Sequence, residues 1–332
     1  MASERVAWIG LGNIGRVSII PLSTYHFSSA KPIDPQGMSR NIALKGPQTT
    51  PLALYNRTTS KATTLAESLG VEKATVVSSL STAVQNATIV FICVGDDHAV
   101  DQIIGTLIND TSVNLADKII VDCSTVHPDT SRRVYNTLAA QGASFVACPV
   151  FGAPNMADAG QLLAVPAGAA AAVERIRPFL DGVVARATIP VGGDDGDVGR
   201  ATLLKVLGNT FILNTVETLA EGMVAAEKSG LGLEVYQQFI SSMFPGPVAK
   251  YADRMASGDY YQREEPLFAV DLARKDLRHA TSLGQNAGMR LRSVEVTDGY
   301  LKEVKAECGE RGDIAGVYGA IRKESGLPYE RK

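Results

Sequence analysis

The stretch Val6-Ala7-Trp8-Ile9-Gly10-Leu11-Gly12-Asn13-Ile14-Gly15 decides how the rest of the chain is read. Four apolar residues lead straight into a G-x-G-x-x-G pattern, as a buried strand does when it delivers the chain into a tight turn and a helix start. In such a turn Gly10 permits the reversal, Gly12 lets backbone approach a pyrophosphate, and Gly15 lets strand and helix pack closely. Leu11, Asn13 and Ile14 complete the loop. A plain glycine turn has the same pattern, so the choice between the two rests on the residues C-terminal to it.

Those residues alternate in character. Short runs rich in Val, Ile and Ala recur at 5–9, 52–55, 74–77, 88–94, 118–121 and 143–146, with helical stretches between them at 60–69, 99–107 and 128–140. Pro128 suits a first helical turn. Alternation of this kind predicts an α/β fold, a Rossmann-type doubly wound parallel sheet. An apolar run at 161–165 and a helix at 169–180 follow, and a last strand at 183–189 is expected to extend the same sheet.

A Gly-Asp cluster at 192–199 ends the alternation. From 200 to 228 Leu203, Leu204, Leu207, Phe211, Val216, Leu219 and Met223 recur at helical spacing without a proline, which predicts one long helix. Beyond Gly230 the strand signal disappears. The expected organisation is a cofactor-binding domain at 1–195 and an all-helical substrate and dimerisation domain at 196–332, together enclosing a small substrate in a homodimer.

The 332 residues carry a formal net charge of −3 with no block of one sign, which points away from nucleic acid and toward a small-molecule ligand. No apolar stretch approaches the ~20 residues that span a bilayer, and the first apolar run begins too early for a signal peptide, so a cytoplasmic location is expected. Cys93, Cys123, Cys148 and Cys308 lack metal-type spacing, and reduced core thiols are expected. His26, His98, His127 and His279 show no paired-ligand spacing, so no metal is expected. No G-x-S-x-G elbow suggests hydrolysis.

The second predicted strand ends in Asn56-Arg57-Thr58, where NAD enzymes place a carboxylate for the ribose hydroxyls. A missing acid and a present guanidinium favour NADP(H), with Arg57 pairing with a 2′-phosphate. One segment breaks the scheme: 17–36 contains Pro21, Pro32 and Pro35 and has poor amphipathic periodicity. Joining Arg16 to Gly37 restores a glycine loop, a short helix at 38–44 and the usual gap of about 20 residues to the second strand end. Two origins fit the insertion: a translated intron, since Val17-Ser18 can be encoded by a GTAAGT donor and Gln36 by CAG, or a natural surface loop. Sequencing of mature transcripts separates them; a message that always carries the segment rules out the intron.

Several motifs together resemble the β-hydroxyacid dehydrogenases, the family of 3-hydroxyisobutyrate dehydrogenase and of the 6-phosphogluconate dehydrogenase cofactor domain. They are Gly10 to Gly15, Asp122-Cys123-Ser124-Thr125 with Pro128, Pro149-Val150-Phe151-Gly152-Ala153 with Gly160, Lys205 to Asn209, and Lys275-Asp276-Leu277. The resemblance implies that Lys205 is the catalytic acid or base and that Asn209, one turn along the helix, helps hold the substrate. It implies cofactor contacts from Val94, Gly95, Asp96, Thr125 and Lys275, and substrate contacts from Ser124, Phe151, Gly152 and Ala153. Phe151 and Ala153 depart from the family pattern, which has serine and a second glycine there, and so suggest a more apolar or differently held substrate. The expected activity is NADP(H)-dependent reduction of a small aldehyde or keto acid, or the reverse oxidation of a β-hydroxy acid. An imine reductase-like enzyme and a non-catalytic NADPH-binding protein are the alternatives; retained Lys205 speaks against the first, and retained Lys205 and Asn209 against the second.

Overall fold

The computed structural model describes residues 4–11, 36–192 and 196–331. Gly12, Asn13, Ile14 and Gly15, and the segment 17–36 except Gln36, lie outside the described residues. The chain divides into two compact units, Met1–Lys205 and Val206–Lys332.

The first unit alternates strands and helices. In chain order they are β1 (Val6–Ile9), α1 (Gly37–Lys45), β2 (Leu52–Tyr55), α2 (Thr59–Leu69), β3 (Ala74–Val76), α3 (Leu80–Gln85), β4 (Ile89–Ile92), α4 (Asp97–Asn109), β5 (Ile119–Asp122), α5 (Pro128–Ala139) and β6 (Ser144–Ala147). Then come β7 (Val150–Phe151), α6 (Pro154–Asp158), β8 (Leu162–Ala164), β9 (Ala167–Gly168), α7 (Ala170–Leu180), β10 (Ala185–Thr188) and α8 (Gly199–Ser229). The helix α1 forms as expected once the segment 17–36 is set aside.

The main sheet has the order β3-β2-β1-β4-β5-β6-β9. Strands β1 to β6 are parallel and β9 is antiparallel to β6. Strand order therefore reverses between β1 and β4, and a crevice opens at such a switch point beyond the carboxyl ends of the strands. Alternate residues serve the two faces: Val6, Trp8, Ile89 and Phe91 join one buried cluster, Ala7, Ile9, Val90 and Ile92 the other. Trp8 stacks on Phe91 at 5.7 Å between ring centroids, and Phe91 meets Phe179 edge-on at 6.1 Å.

One expectation is corrected. The strand at 183–189 does not extend the main sheet: β10 pairs parallel with β8, and β8 pairs antiparallel with β7, in a separate sheet of order β10-β8-β7. Burial was legible in these runs, but the choice of neighbour was not, because short apolar strands carry no record of their partner.

α8 has 31 residues, a length of about 46 Å at 1.5 Å per residue. Its apolar periodicity overstates the buried face, since Leu207 is 46 % and Phe211 73 % exposed. The second unit continues with α9 (Leu233–Met243), α10 (Pro247–Ala256), α11 (Asp259–Gln262), α12 (Val270–Asn286), α13 (Arg292–Cys308) and α14 (Val317–Glu324) around its own apolar cluster. There buried Asp313 accepts backbone N–H bonds from Leu267, Phe268 and Ala315 and an ion pair from Arg254 at 2.8 Å. Among the described residues no helix is long and apolar enough to cross a membrane.

Candidate functional site

The crevice at the β1/β4 switch point is a cleft of about 690 Å³, lined among others by Gly10, Asn56, Arg57, Val94 and Gly95. These predicted cofactor contacts come together although the sequence scatters them over some 85 positions, because parallel strands deliver all their carboxyl ends to one edge. Gly10 has φ +95°, and a Cβ there would lie 2.3 Å from the Cys93 carbonyl oxygen. Only glycine lets the end of β1 lie this close to the end of β4. Its N–H donates to the Tyr55 carbonyl at 3.0 Å.

Asn56 ties the loops together: its Oδ1 accepts from the Leu11 N–H at 2.9 Å, and its Nδ2 donates to the Thr58 carbonyl at 2.9 Å. Leu11 itself is buried in the core. Thr58 stands at the start of α2 without a side-chain cap bond and does not line the cleft. Arg57 is exposed on the cleft wall and has no ion-pair partner among the described residues. Asp96, expected to contact cofactor, caps α4 by accepting from the Ala99 N–H at 2.8 Å. Gln102, Ile103 and Thr106 of α4 also line the cleft, a helical-face signal that reading the strand ends alone missed.

The next strand end is built as tightly. Ser124 Oγ accepts from the Val94 N–H, and the Ser124 N–H donates to Asp122 Oδ1, each at 2.9 Å. Ser124 and Thr125 are both buried. His127 caps α5, with Pro128 in the first turn as expected. Cys93, Cys123 and Cys148 each follow the last residue of neighbouring parallel strands, in register, and so stand side by side across the sheet. Removal from water, with Asp122 nearby, pushes the Cys93 thiol up to about 12, while the Lys205 charge acts in the opposite direction. Cys123 is raised as well, by its hydrogen bond with Cys148 and by burial.

Lys205 is only 8 % exposed, and its Nζ stands 4.4 Å from the centroid of the Phe151 ring. A buried lysine is unusual without a compensating partner, and an aromatic face is one. Phe151 ends β7; Gly152 comes next with φ +143°, and Ala153 immediately precedes α6. In the second unit Asn209 Nδ2 donates to Asp276 Oδ2 at 2.7 Å, and Lys275 Nζ lies 3.3 Å from Asp276 Oδ1. All three are buried. Asp276 thus holds two predicted site residues; the sequence showed it inside a motif but gave it no role.

The residues at the cleft fit a dinucleotide: a glycine cradle that a Cβ would fill, an exposed guanidinium, and backbone at two strand ends. No group of three or more His, Cys, Asp or Glu residues could hold a metal ion among the described residues.

Residues 36–193 match the NAD binding domain of 6-phosphogluconate dehydrogenase, and 199–321 match the NAD-binding domain of NADP-dependent 3-hydroxyisobutyrate dehydrogenase. An NADH-dependent oxidoreductase of Aspergillus ustus is 33 % identical over 293 residues, covering 88 % of this chain and 97 % of that one. A 2-(hydroxymethyl)glutarate dehydrogenase of Eubacterium barkeri is 28 % identical over 215 residues, covering 64 % and 68 %. Among solved structures, Mycobacterium tuberculosis 3-hydroxyisobutyrate dehydrogenase with L-serine shares the fold at a TM-score of 0.75, with 21 % identity and coverage of 96 % and 99 %.

Proposed function

The chain belongs to the β-hydroxyacid dehydrogenase family of NAD(P)-dependent oxidoreductases, and from that premise we propose that it reduces a small carbonyl compound with NADPH, Lys205 giving the proton. The observation that carries the role of Lys205 is its burial with the ammonium against the Phe151 ring. An aromatic face attracts an ammonium, and a lysine ammonium positioned at a reacting oxygen can act as its acid. Reduction makes negative charge grow on the carbonyl oxygen, so a buried ammonium beside it both stabilises that charge and supplies its proton. Asn209, one helical turn along α8, would donate to the same oxygen or to a neighbouring substrate group.

Gly10, Leu11, Asn56, Arg57, Val94, Gly95 and Thr125 would hold the cofactor, together with Gly12, Asn13, Ile14 and Gly15. When bound, the nicotinamide supplies the hydride. Arg57 supports NADPH as the form used, because its neighbours Asn56 and Thr58 offer no carboxylate to receive ribose hydroxyls. The Aspergillus ustus relative, by contrast, carries NADH in its name.

The test is NADPH oxidation against a panel of aldehydes, keto acids and cyclic imines. Lys205→Ala should lower kcat by ~10²–10⁴-fold, the usual worth of a positioned acid, while cofactor affinity stays within about threefold. An unchanged rate would remove Lys205 from the chemistry. Cofactor binding without turnover of any compound would favour a binding protein, and turnover of imines alone would favour an imine reductase.

A further inference from the structure

Phe151 is placed by structure that a loop residue lacks. It pairs with Leu163 and Val150 with Ala164 in the antiparallel β7/β8 ladder, and the Val165 N–H donates to the Pro149 carbonyl at 3.0 Å just beyond it. Gly152 then takes a φ open to few other residues, and a Cβ there would meet Leu162 Cδ2 at 2.5 Å and Met156 Cβ at 3.3 Å. The backbone on both sides of Phe151 is therefore held, and its half-buried ring packs against the core cluster of the sheet. Turning the ring away from Lys205 would cost its packing against that cluster.

An aromatic face carries negative electrostatic potential, which attracts the Lys205 ammonium at 4.4 Å and repels a carboxylate arriving on the same side. A phenyl ring also has no hydroxyl to donate to an anion. A carboxylate drawn from water into this corner would lose hydration, meet a repelling surface, and compete with the ring for the ammonium. An ester, ketone or aldehyde group loses far less. We propose that Phe151 is a specificity-determining residue that makes the site take uncharged carbonyl compounds and reject those with a carboxylate close to the reacting carbon. This rests on the reading of Lys205 as the proton donor.

The experiment compares 4-oxobutanoate with its methyl ester, using the full chain and NADPH, in wild type, Phe151→Ser, Phe151→Tyr and Lys205→Ala. Wild type is expected to favour the ester by at least about tenfold in kcat/KM, the scale on which pocket chemistry discriminates. Phe151→Ser should move that ratio at least about tenfold toward the acid, chiefly through the KM of the acid, and Phe151→Tyr should keep it. If the serine variant does not fold, Phe151→Thr replaces it, since threonine tolerates a strand. A wild type that prefers the acid, or a ratio that loss of the ring leaves in place, overturns the proposal. Equal use of both compounds, abolished by Lys205→Ala, overturns it while leaving the reductase reading standing. If neither compound is reduced, calorimetric binding of 4-hydroxybutanoate and its methyl ester to the NADP-loaded protein decides. Tighter binding of the ester, reversed in Phe151→Ser, supports the selection; equal binding overturns it.

Discussion

Arg57 and Asp276 show how far single residues reach. If Arg57 meets a 2′-phosphate, Arg57→Ala should cost about tenfold to a hundredfold in NADPH affinity, the worth of a charge-assisted contact, and leave NADH affinity nearly unchanged. Fluorescence titration of both cofactors measures this; equal losses for both would assign Arg57 to the fold instead. Asp276 is a buried carboxylate between Asn209 and Lys275. Asp276→Ala removes the carboxylate that both side chains contact, and should destabilise the second unit by roughly 1–3 kcal/mol in urea unfolding. A loss below about 1 kcal/mol would mean that water or another group replaces the carboxylate. At this scale the glycine pattern foretold the tight turn at Gly10, which its φ and its approach to the Cys93 carbonyl require. The sequence was silent on Asp276 and Gln102, whose importance comes from neighbours distant along the chain.

Parallel strands turn sequence position into a spatial row, and the thiols of Cys93, Cys123 and Cys148 record it. Loss of hydration and Asp122 favour the thiol form of Cys93, the hydrogen bond with Cys148 and burial that of Cys123, and thiols without thiolate are poor nucleophiles. A disulfide-exchange reagent at pH 8 should leave buried Cys123 unlabelled in the native protein and label it on unfolding, which peptide mass analysis resolves; rapid native labelling of Cys123 would contradict its burial. The same elements mark where sequence reading stops. Runs of Val and Ile identified β1 to β6 and their parallel arrangement, since an all-buried strand reads as a continuous apolar run. β7, β8 and β10 are two to four residues long, and their pairing depends on Gly152 and Gly160 setting turns whose direction no periodicity encodes.

Taken whole, the molecule joins an α/β unit and a helical unit, each with its own core, through one helix that begins in the first and continues into the second. Within the helical unit, Glu217 is buried on α8, and loss of hydration together with the neighbouring Glu221 raises its carboxyl to about 7. A carboxyl raised by folding contributes stability below its unfolded value of 4.5, and that contribution is lost as pH climbs through 7. Stability should therefore fall between pH 5 and pH 8, and Glu217→Gln should flatten the fall and raise the melting temperature most at the alkaline end. Parallel pH curves for the two proteins would show that Glu217 does not titrate in this range. Trp8 offers a way to watch the other unit. It is the chain's single tryptophan, buried on Phe91, with its indole N–H donated to the Gly10 carbonyl at 2.7 Å. The protein therefore carries one indole fluorophore, wired by a hydrogen bond to the glycine turn, so its emission spectrum is a direct optical gauge of what happens there.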